Sequence, residues 1–234
     1  PIIKLAAVES SSSQDSQSSA LGCLGEIMKA LGPMTLQYIE QLAPIIKSGL
    51  EHSDSNVRRN SAYCMGRLYE YNGANMSKGS IEESLMWLFP LANQASVEGQ
   101  RLDVRGADVD NAVSAVAHIC RTNPEAAPVS QILPVIVAAL PLKSDLEEGE
   151  NIFSFLTQLI DQGEPTALSF YAQILERIHF ACSEQSKHED VLKNNLKSWK
   201  NGKIQSQDGG YIQACGALRA NNNEAAFTFL SAMN

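Results

Sequence analysis

The sequence predicts an all-α fold, an α-solenoid of about five stacked antiparallel helix pairs. Three observations lead to this prediction. Apolar segments with the same pattern recur along the chain, and the helices that follow them are rich in small residues that permit close packing. No segment alternates polar and apolar residues with a period of two, which argues against a β-sheet.

The recurring apolar pattern contains a proline in each copy. The run Gln-Leu-Ala-Pro ends at Pro44, Leu-Phe-Pro ends at Pro90, and Gln-Ile-Leu-Pro ends at Pro134. The three prolines are 46 and 44 residues apart, a spacing inside the range of HEAT repeats. Because proline kinks a helix, the pattern predicts the same kink in the first helix of successive pairs.

The second helix of a pair carries an asparagine near its start. Alignment of two such helices puts Asn60 over Asn111, and we expect both to lie on one face of the stack with free side-chain amides. Asp54 and Asp108 precede these runs. We expect them to cap the two helices, because a carboxylate accepts hydrogen bonds from the first free backbone N–H groups.

The same pattern covers most of the chain. The predicted helices span residues 20–31, 35–50, 54–71, 80–94, 105–121, 128–141, 145–161, 165–182 and 188–200, followed by one or two short helices. The Ser-rich residues 1–19 are expected to form a loop or partly disordered start, and 20–234 one solenoid domain. Gly32-Pro33 is expected to end the first helix. The chain does not begin with Met, which suggests a piece of a longer protein.

Composition restricts the function. The formal net charge is −8, and residues 1–186 hold 12 Lys and Arg against 22 Asp and Glu, so a direct nucleic-acid binder is not expected. The longest apolar run, Ile132 to Leu142, is about half a membrane span. The five cysteines are widely spaced and are expected to be reduced core thiols.

Motifs for catalysis are missing from the sequence. His188-Glu189 is followed by Leu192 where a zinc protease helix needs a second histidine, and no two cysteines have the spacing of a metal or redox site. His52, His118 and His179 are isolated and are expected at helix ends or on the surface. We therefore expect a binding protein, with no enzyme activity, metal or cofactor; an enzyme would require a site assembled from scattered residues.

Acidic residues cluster before one predicted second helix. They are Asp145, Glu147, Glu148 and Glu150, with Asn151 beside them. One interpretation is structural, because carboxylates at a helix start stabilise its dipole. The other is a pocket for lysines of a basic peptide, completed by Asp108, Asp110 and Asn111 at the start of the preceding second helix and by Asn60. Amides in such a groove can hold a peptide backbone.

Three lysines share one face of a later helix. Lys193, Lys197 and Lys200 lie opposite a face formed by Leu192, Leu196 and Trp199, which is expected to be buried. We expect these lysines to form a solvated helix flank. The alternative is a site for an acidic chaperone or an acidic tail.

These runs resemble the karyopherin-β (importin-β) family. The resemblance rests on Asn-Val-Arg-Arg-Asn-Ser-Ala-Tyr at residues 56–63 and Asp-Asn-Ala-Val-Ser-Ala-Val-Ala at 110–117. The segment Leu-Pro-Leu-Lys-Ser-Asp-Leu-Glu-Glu at 140–148 is more specific, and it resembles the C-terminal HEAT repeats of the importin-4 subfamily. The resemblance covers most of residues 20–200, and the tail after Lys203 has no counterpart in it.

The resemblance implies a nuclear import receptor. Such a receptor moves between cytoplasm and nucleus as a monomer and recognises the basic localisation signals of histones and ribosomal proteins on its concave inner-helix surface. Ran GTPase would bind an N-terminal part that this chain lacks, and a histone chaperone is a further partner class. The alternative is a HEAT-repeat scaffold of the phosphatase-regulatory or chromatin-architectural type, without a transport role.

Overall fold

A computed structural model describes residues 13–96, 106–183, 190–221 and 223–231. Every regular element in these ranges is helical, which confirms the predicted all-α fold. The chain forms two compact units, one ending at Glu148 and the other beginning at Gly149. In the described part of the chain, no helix combines the length and apolar character that a membrane crossing requires.

Over its described residues, the first unit contains six α-helices joined by short 3₁₀ segments. They are α1 (Gln14–Leu31), α2 (Ile39–Leu50), α3 (Ser55–Asn72), α4 (Lys78–Ala92), α5 (Ala107–Thr122) and α6 (Val129–Ala139). The 3₁₀ segments are Gly32–Tyr38, Gly73–Asn75, Asn93–Ser96 and Leu146–Glu148. Helices α1, α3 and α5 pack side by side in one layer, and α2, α4 and α6 form the other. Two layers of alternating helices are the arrangement that stacked helix pairs produce.

The second unit contains the remaining helices of the described residues. They are α7 (Gly149–Asp161), α8 (Pro165–Ser169), α9 (Tyr171–Ser183), α10 (Asp190–Gln205), α11 (Gly209–Ala220) and α12 (Glu224–Ser231). The predicted single helix over 165–182 is therefore divided at Phe170 into α8 and α9. The predicted helix over 145–161 begins as the 3₁₀ segment of the first unit.

The three repeated prolines lie inside the first helices of successive pairs. Pro44 is inside α2, Pro90 inside α4 and Pro134 inside α6, all in the same layer. Their positions along the helix differ, because Pro90 lies in the last turn whereas the other two lie near the middle. The proline spacing therefore identified the repeat correctly, with a local shift in the middle copy.

The predicted loop from Ser10 to Ser19 is wrong over the residues that the structure describes. Helix α1 begins at Gln14, and the Ser13 hydroxyl caps it by accepting a hydrogen bond from the backbone N–H of Ser16 at 3.3 Å. Serine composition suggested a loop, but buried Gln17 and Ala20 anchor the first turns of the helix. Residues 1–12 lie outside the described part. Gly32, with φ of 54°, ends α1 as expected.

Only one of the two expected caps is formed. Asp54 caps α3, accepting hydrogen bonds from the N–H groups of Asn56 at 2.9 Å and Val57 at 3.1 Å. Helix α5 begins one residue before Asp108, so this carboxylate lies in the first turn and pairs with Arg58 at 2.6 Å. The expectation of a cap at Asp108 was therefore wrong.

Burial corrects two further expectations. Leu192 and Leu196 are buried as predicted, whereas Trp199, expected on the same buried face, is only half-buried. Lys200 is buried too, and burial lowers its pKa, so the three lysines do not form a fully solvated flank. Of the other two lysines of this face, Lys193 is half-buried and Lys197 is exposed.

The cysteines are only partly the core thiols expected from the sequence. Cys64, Cys120 and Cys215 are buried free thiols, whereas Cys23 is exposed and Cys182 half-buried.

A close approach of α2 to α3 gives a first prediction. A Cβ atom on Gly49 would overlap the Ser61 Oγ, so Gly49→Ala forces the two helices apart and should lower the free energy of unfolding by about 1–3 kcal/mol. The matched control is Gly79→Ala in α4, where the nearest atom is 3.9 Å away and the change should be neutral or slightly stabilising. Urea denaturation followed by circular dichroism measures both. Equal stability of the two variants would contradict the packing.

Candidate functional site

A pocket of about 270 Å³ opens on the first unit beside the layer formed by α1, α3 and α5. Its lining residues come from these three helices and from the loop that follows α6. They are Gly22, Glu26, Arg59, Asn60, Tyr63, Asn111, Asp145, Glu147 and Glu148. The lining thus contains four carboxylates and one guanidinium, together with two amides and an aromatic ring.

The loop after α6 is held by one buried carboxylate. Asp110, which is 0% exposed, accepts hydrogen bonds at its Oδ2 from the backbone N–H groups of Lys143 at 2.9 Å, Ser144 at 2.7 Å and Asp145 at 3.1 Å. Three successive N–H groups directed at one oxygen fix the backbone of this loop, and hydrogen bonds to an ionised acceptor are the strong ones. Asp110 therefore supports the pocket wall from beneath.

Asp145 is fixed in the pocket by two side chains as well. Its Oδ2 accepts a hydrogen bond from Asn111 Nδ2 at 2.8 Å, and it receives Arg59 Nε at 3.2 Å and Nη2 at 3.0 Å. The carboxylate is thus oriented towards donors from α3 and α5. It already binds a guanidinium of its own chain.

Glu148 is the deepest carboxylate of the pocket. It is nearly buried, and it accepts a hydrogen bond from the hydroxyl of Ser114. Arg67 Nη2 lies 3.6 Å from its Oε2. Burial raises the pKa of Glu148, while the Ser114 hydrogen bond and the charge of Arg67 oppose that rise.

The aromatic wall is held by neighbouring charges. The Tyr63 hydroxyl donates a hydrogen bond to Glu26 Oε1 at 2.7 Å, and the Arg67 guanidinium stacks over the Tyr63 ring at 5.0 Å from its centroid. Burial, followed by the hydrogen bond to Glu26, raises the pKa of Tyr63. The Glu26 carboxylate and the Tyr63 ring together form the side of the pocket next to α1.

His118 lies behind the pocket, contrary to the expected position at a helix end or on the surface. It is 2% exposed, with Arg67 Nη2 at 3.2 Å from Nε2 and Arg121 Nη2 at 3.4 Å from Nδ1. Burial and then the charges of these two arginines lower its pKa to about 2. A neutral imidazole between two cations is an acceptor in a structural network, and this disfavours its use as a base at neutral pH.

The structure brings part of the predicted site together. Asn60, Asn111, Glu147 and Glu148 line the pocket, and Asp110 lies beneath it. Asp108 is buried and pairs with Arg58 outside the lining. Glu150, which is exposed, and Asn151, which is buried, begin α7 in the second unit, so their role in cargo binding stays a prediction.

The expectation of free amides was wrong. Asn60 Nδ2 donates hydrogen bonds to the Ser18 carbonyl at 2.7 Å and to its hydroxyl at 3.0 Å. Asn111 is buried, and its Nδ2 donates to the Ala107 carbonyl at 2.8 Å as well as to Asp145. Both amide groups tie elements of the fold together. Their Nδ2 groups are therefore not free to bind a peptide backbone.

Three lining residues with charged or aromatic side chains were missed from the sequence: Glu26, Arg59 and Tyr63. Arg59 and Tyr63 stand one residue before and three residues after Asn60, so helical spacing puts them on neighbouring positions of α3 and could have found them. Glu26 gave no such signal. It enters the pocket because α1 packs against α3.

Comparison with known proteins defines the class first. The HEAT repeat model matches residues 42–71, which cover most of α2, the turn after it and most of α3. One predicted helix pair is thus a recognisable HEAT unit. Together with the two layers of helices, the match identifies a HEAT-repeat solenoid.

Among HEAT-repeat proteins, the chain is similar in sequence to importins. The chain is 34% identical to Importin-4 of Homo sapiens over 145 residues, which are 61% of this chain and 13% of the relative. It is 26% identical to the probable importin subunit beta-4 of Schizosaccharomyces pombe over 156 residues, 67% of this chain and 14% of the relative. Importin-4 of Mus musculus is 30% identical over 145 residues, again 61% and 13%.

These similarities to importins and the HEAT repeat match confirm the resemblance to the karyopherin-β family. The chain spans about one seventh of the length of the relatives that it matches. Its assignment to their C-terminal repeats stays a prediction.

The loop anchor gives a second prediction. Asp110→Asn removes the charge that three backbone N–H groups share, so the free energy of unfolding should fall by about 2–4 kcal/mol. Amide hydrogen exchange at Lys143, Ser144 and Asp145 should accelerate more than elsewhere in the first unit. Asp15→Asn, at an exposed position in the first turn of α1, is the matched control: it should lower the free energy of unfolding by at most about 1 kcal/mol and leave exchange at the three amides unchanged. Unchanged exchange at the three amides would contradict the anchoring role.

His118 gives a third prediction. The unfolded chain takes up a proton at this residue below pH ~6.5, whereas the folded chain does not until about pH 2. The stability that the neutral His118 contributes is therefore complete above pH ~6.5. As the pH falls below that value, the free energy of unfolding decreases by about 1.4 kcal/mol per pH unit. His118→Gln should remove this contribution, so the difference in stability between wild type and variant should change between pH 7.5 and 4.5. Urea denaturation at several pH values measures this, and parallel pH curves would disprove the assignment.

Proposed function

We propose that this chain is a segment of a nuclear import receptor that binds lysine-rich segments of basic cargo, such as histones or ribosomal proteins, in the pocket of the first unit. The observation that carries the proposal is the charge of the lining, where Glu26, Asp145, Glu147 and Glu148 oppose a single arginine, Arg59. The similarity to two importins and the net charge of −8 support the same class of cargo.

The lining residues have different roles in this proposal. Glu147 is exposed, and with Glu26 it presents carboxylate to an incoming ammonium group. Glu148 lies deeper and completes the negative end of the pocket. Asn60 and Asn111 contribute by holding the walls, as their hydrogen bonds to Ser18 and Asp145 indicate. Asp108 and Asp110 act through the fold and do not contact the cargo.

Tight binding of a cargo peptide requires several ion pairs at once. An exposed ion pair contributes about 0–1 kcal/mol, so a single lysine and carboxylate cannot give tight binding. Affinity comes from several carboxylates around one ammonium or several lysines along one peptide. Such binding weakens with salt, because charges are screened within about 10 Å at 0.1 M. Acetylation of the lysines also weakens it, because the modification removes the charge.

The proposed role includes partners and movement that belong to the whole receptor. Ran GTPase would bind a part of the longer protein outside this chain and release the cargo. The receptor would act as a monomer that moves between cytoplasm and nucleus. A histone chaperone could deliver histone cargo to the same receptor.

A charge reversal in the pocket tests the proposal. Glu147→Lys should weaken binding of a lysine-rich histone-tail peptide by about tenfold, since it removes one attraction and adds one repulsion. The matched control is Glu40→Lys, which makes the same charge change at an exposed position on α2, outside the pocket. It should change the affinity less than about twofold. Fluorescence anisotropy with the labelled peptide, at two salt concentrations, measures both variants.

The outcomes separate three cases. A loss with Glu147→Lys alone supports the pocket, and the fully acetylated peptide should then bind poorly to wild type. Equal losses in the two variants would mean general attraction to an acidic chain and no pocket. No loss in either would put the cargo site elsewhere in the receptor.

A further inference from the structure

The pocket contains a cation that belongs to the chain itself. The guanidinium of Arg59, on α3, lies against the carboxylate of Asp145 with contacts of 3.0 and 3.2 Å. Arg59 thus occupies the type of position that the proposed function gives to a cargo cation. The contact shows that the Asp145 carboxylate is placed to accept a cation.

The Asp145 carboxylate is held in an orientation in which it can bind a cation. Asn111 donates a hydrogen bond to the same oxygen, and the backbone of Asp145 is one of the three that Asp110 holds. The carboxylate therefore has little freedom to move away from its partner. Its remaining capacity to attract a cation depends on whether Arg59 stays in place.

Arg59 is held less firmly than the arginine beside it. Arg58 pairs with Asp108 at 2.6 Å and donates hydrogen bonds to the carbonyls of His52 at 2.9 Å and Ser53 at 2.7 Å, with 24% of its side chain exposed. Arg59 is 45% exposed, and the contacts described for it go to Asp145. Because nearly half of the Arg59 side chain is in solvent, water screens this ion pair, and another cation can replace the guanidinium.

We propose that Arg59 is an internal competitor for cargo lysines, a residue that limits affinity and sets which peptides the pocket accepts. The inference rests on the proposed function. Arg59 neutralises Asp145 in the unbound protein and repels an ammonium group that approaches the same carboxylates. The repulsion by Arg59 acts in full on a peptide with a single lysine. A peptide with several lysines can displace Arg59, because it competes at more than one carboxylate.

Neutralisation of Arg59 tests the inference on the full chain. Arg59→Gln should tighten binding of the lysine-rich histone-tail peptide by about two- to fivefold, the factor expected for one exposed charge interaction. Arg59→Lys keeps a cation beside Asp145 and should stay within about twofold of wild type. Lys78→Gln is the matched control, because it removes an exposed paired lysine of the same unit that is not part of the pocket lining. It should also leave the affinity within about twofold.

The outcomes distinguish this inference from the proposed function. Tighter binding by Arg59→Gln alone supports competition. If Glu147→Lys weakens binding but Arg59→Gln leaves it unchanged or weaker, the cargo pocket stands and the competitor role is overturned. Equal tightening by Arg59→Gln and Lys78→Gln would overturn it too, because the effect would then be one of net charge. If neither wild type nor Arg59→Gln binds the peptide, both proposals fall. Circular dichroism shows that each variant is folded.

Discussion

The three hydrogen bonds that end on the Asp110 carboxylate determine the shape of the pocket. They connect α5, the second helix of one pair, to the loop that leaves α6, the first helix of the next. A loop of this kind contains backbone N–H groups that need partners, and a buried ionised carboxylate needs donors to offset its desolvation. The loop N–H groups are the donors that the Asp110 carboxylate needs, and this carboxylate is the acceptor that they need. Asp145, Glu147 and Glu148 follow directly from this anchored loop, so the acidic wall depends on a residue that does not itself line the pocket.

Neighbouring repeats are joined in the same way along the first unit. Arg58 and Asp108 are 50 residues apart, Arg67 and His118 51, and Asn60 and Ser18 42. Each separation is close to one repeat, so each polar contact connects a helix to its counterpart in the adjacent pair. Solenoid stability is a sum of such nearest-neighbour terms. The layer of α1, α3 and α5 therefore carries both the contacts that join the repeats and the side chains that line the pocket.

Because this layer both joins the repeats and lines the pocket, some of its features could be predicted from the sequence and others could not. Proline spacing, the Asp54 cap and Gly32 depend on neighbouring residues, and the structure confirms them. The positions of Asp108 and Asn111 could not be predicted, because an acidic or amide residue at a helix start has the same appearance whether it faces solvent or a distant partner. Glu26 entered the pocket through the packing of α1 on α3, which no local pattern contains.

The cation affinity of the pocket does not follow from the number of acidic residues near it. The carboxylates of Asp108 and Asp110 are bound to partners that the fold requires, and the charge of Glu148 is opposed by Arg67. In the proposed function, the attraction felt by a cargo lysine would come from the carboxylates that remain: Glu26, Glu147 and the part of the Asp145 charge that Arg59 does not neutralise. Replacing Arg58 or Arg67 would alter that attraction only by disturbing the buried groups that they bind. Arg59 differs, because it is exposed and its partner is held by other contacts. If the proposed function holds, a substitution at Arg59 would therefore change the affinity for cargo with less disturbance of the fold than a substitution at Arg58 or Arg67.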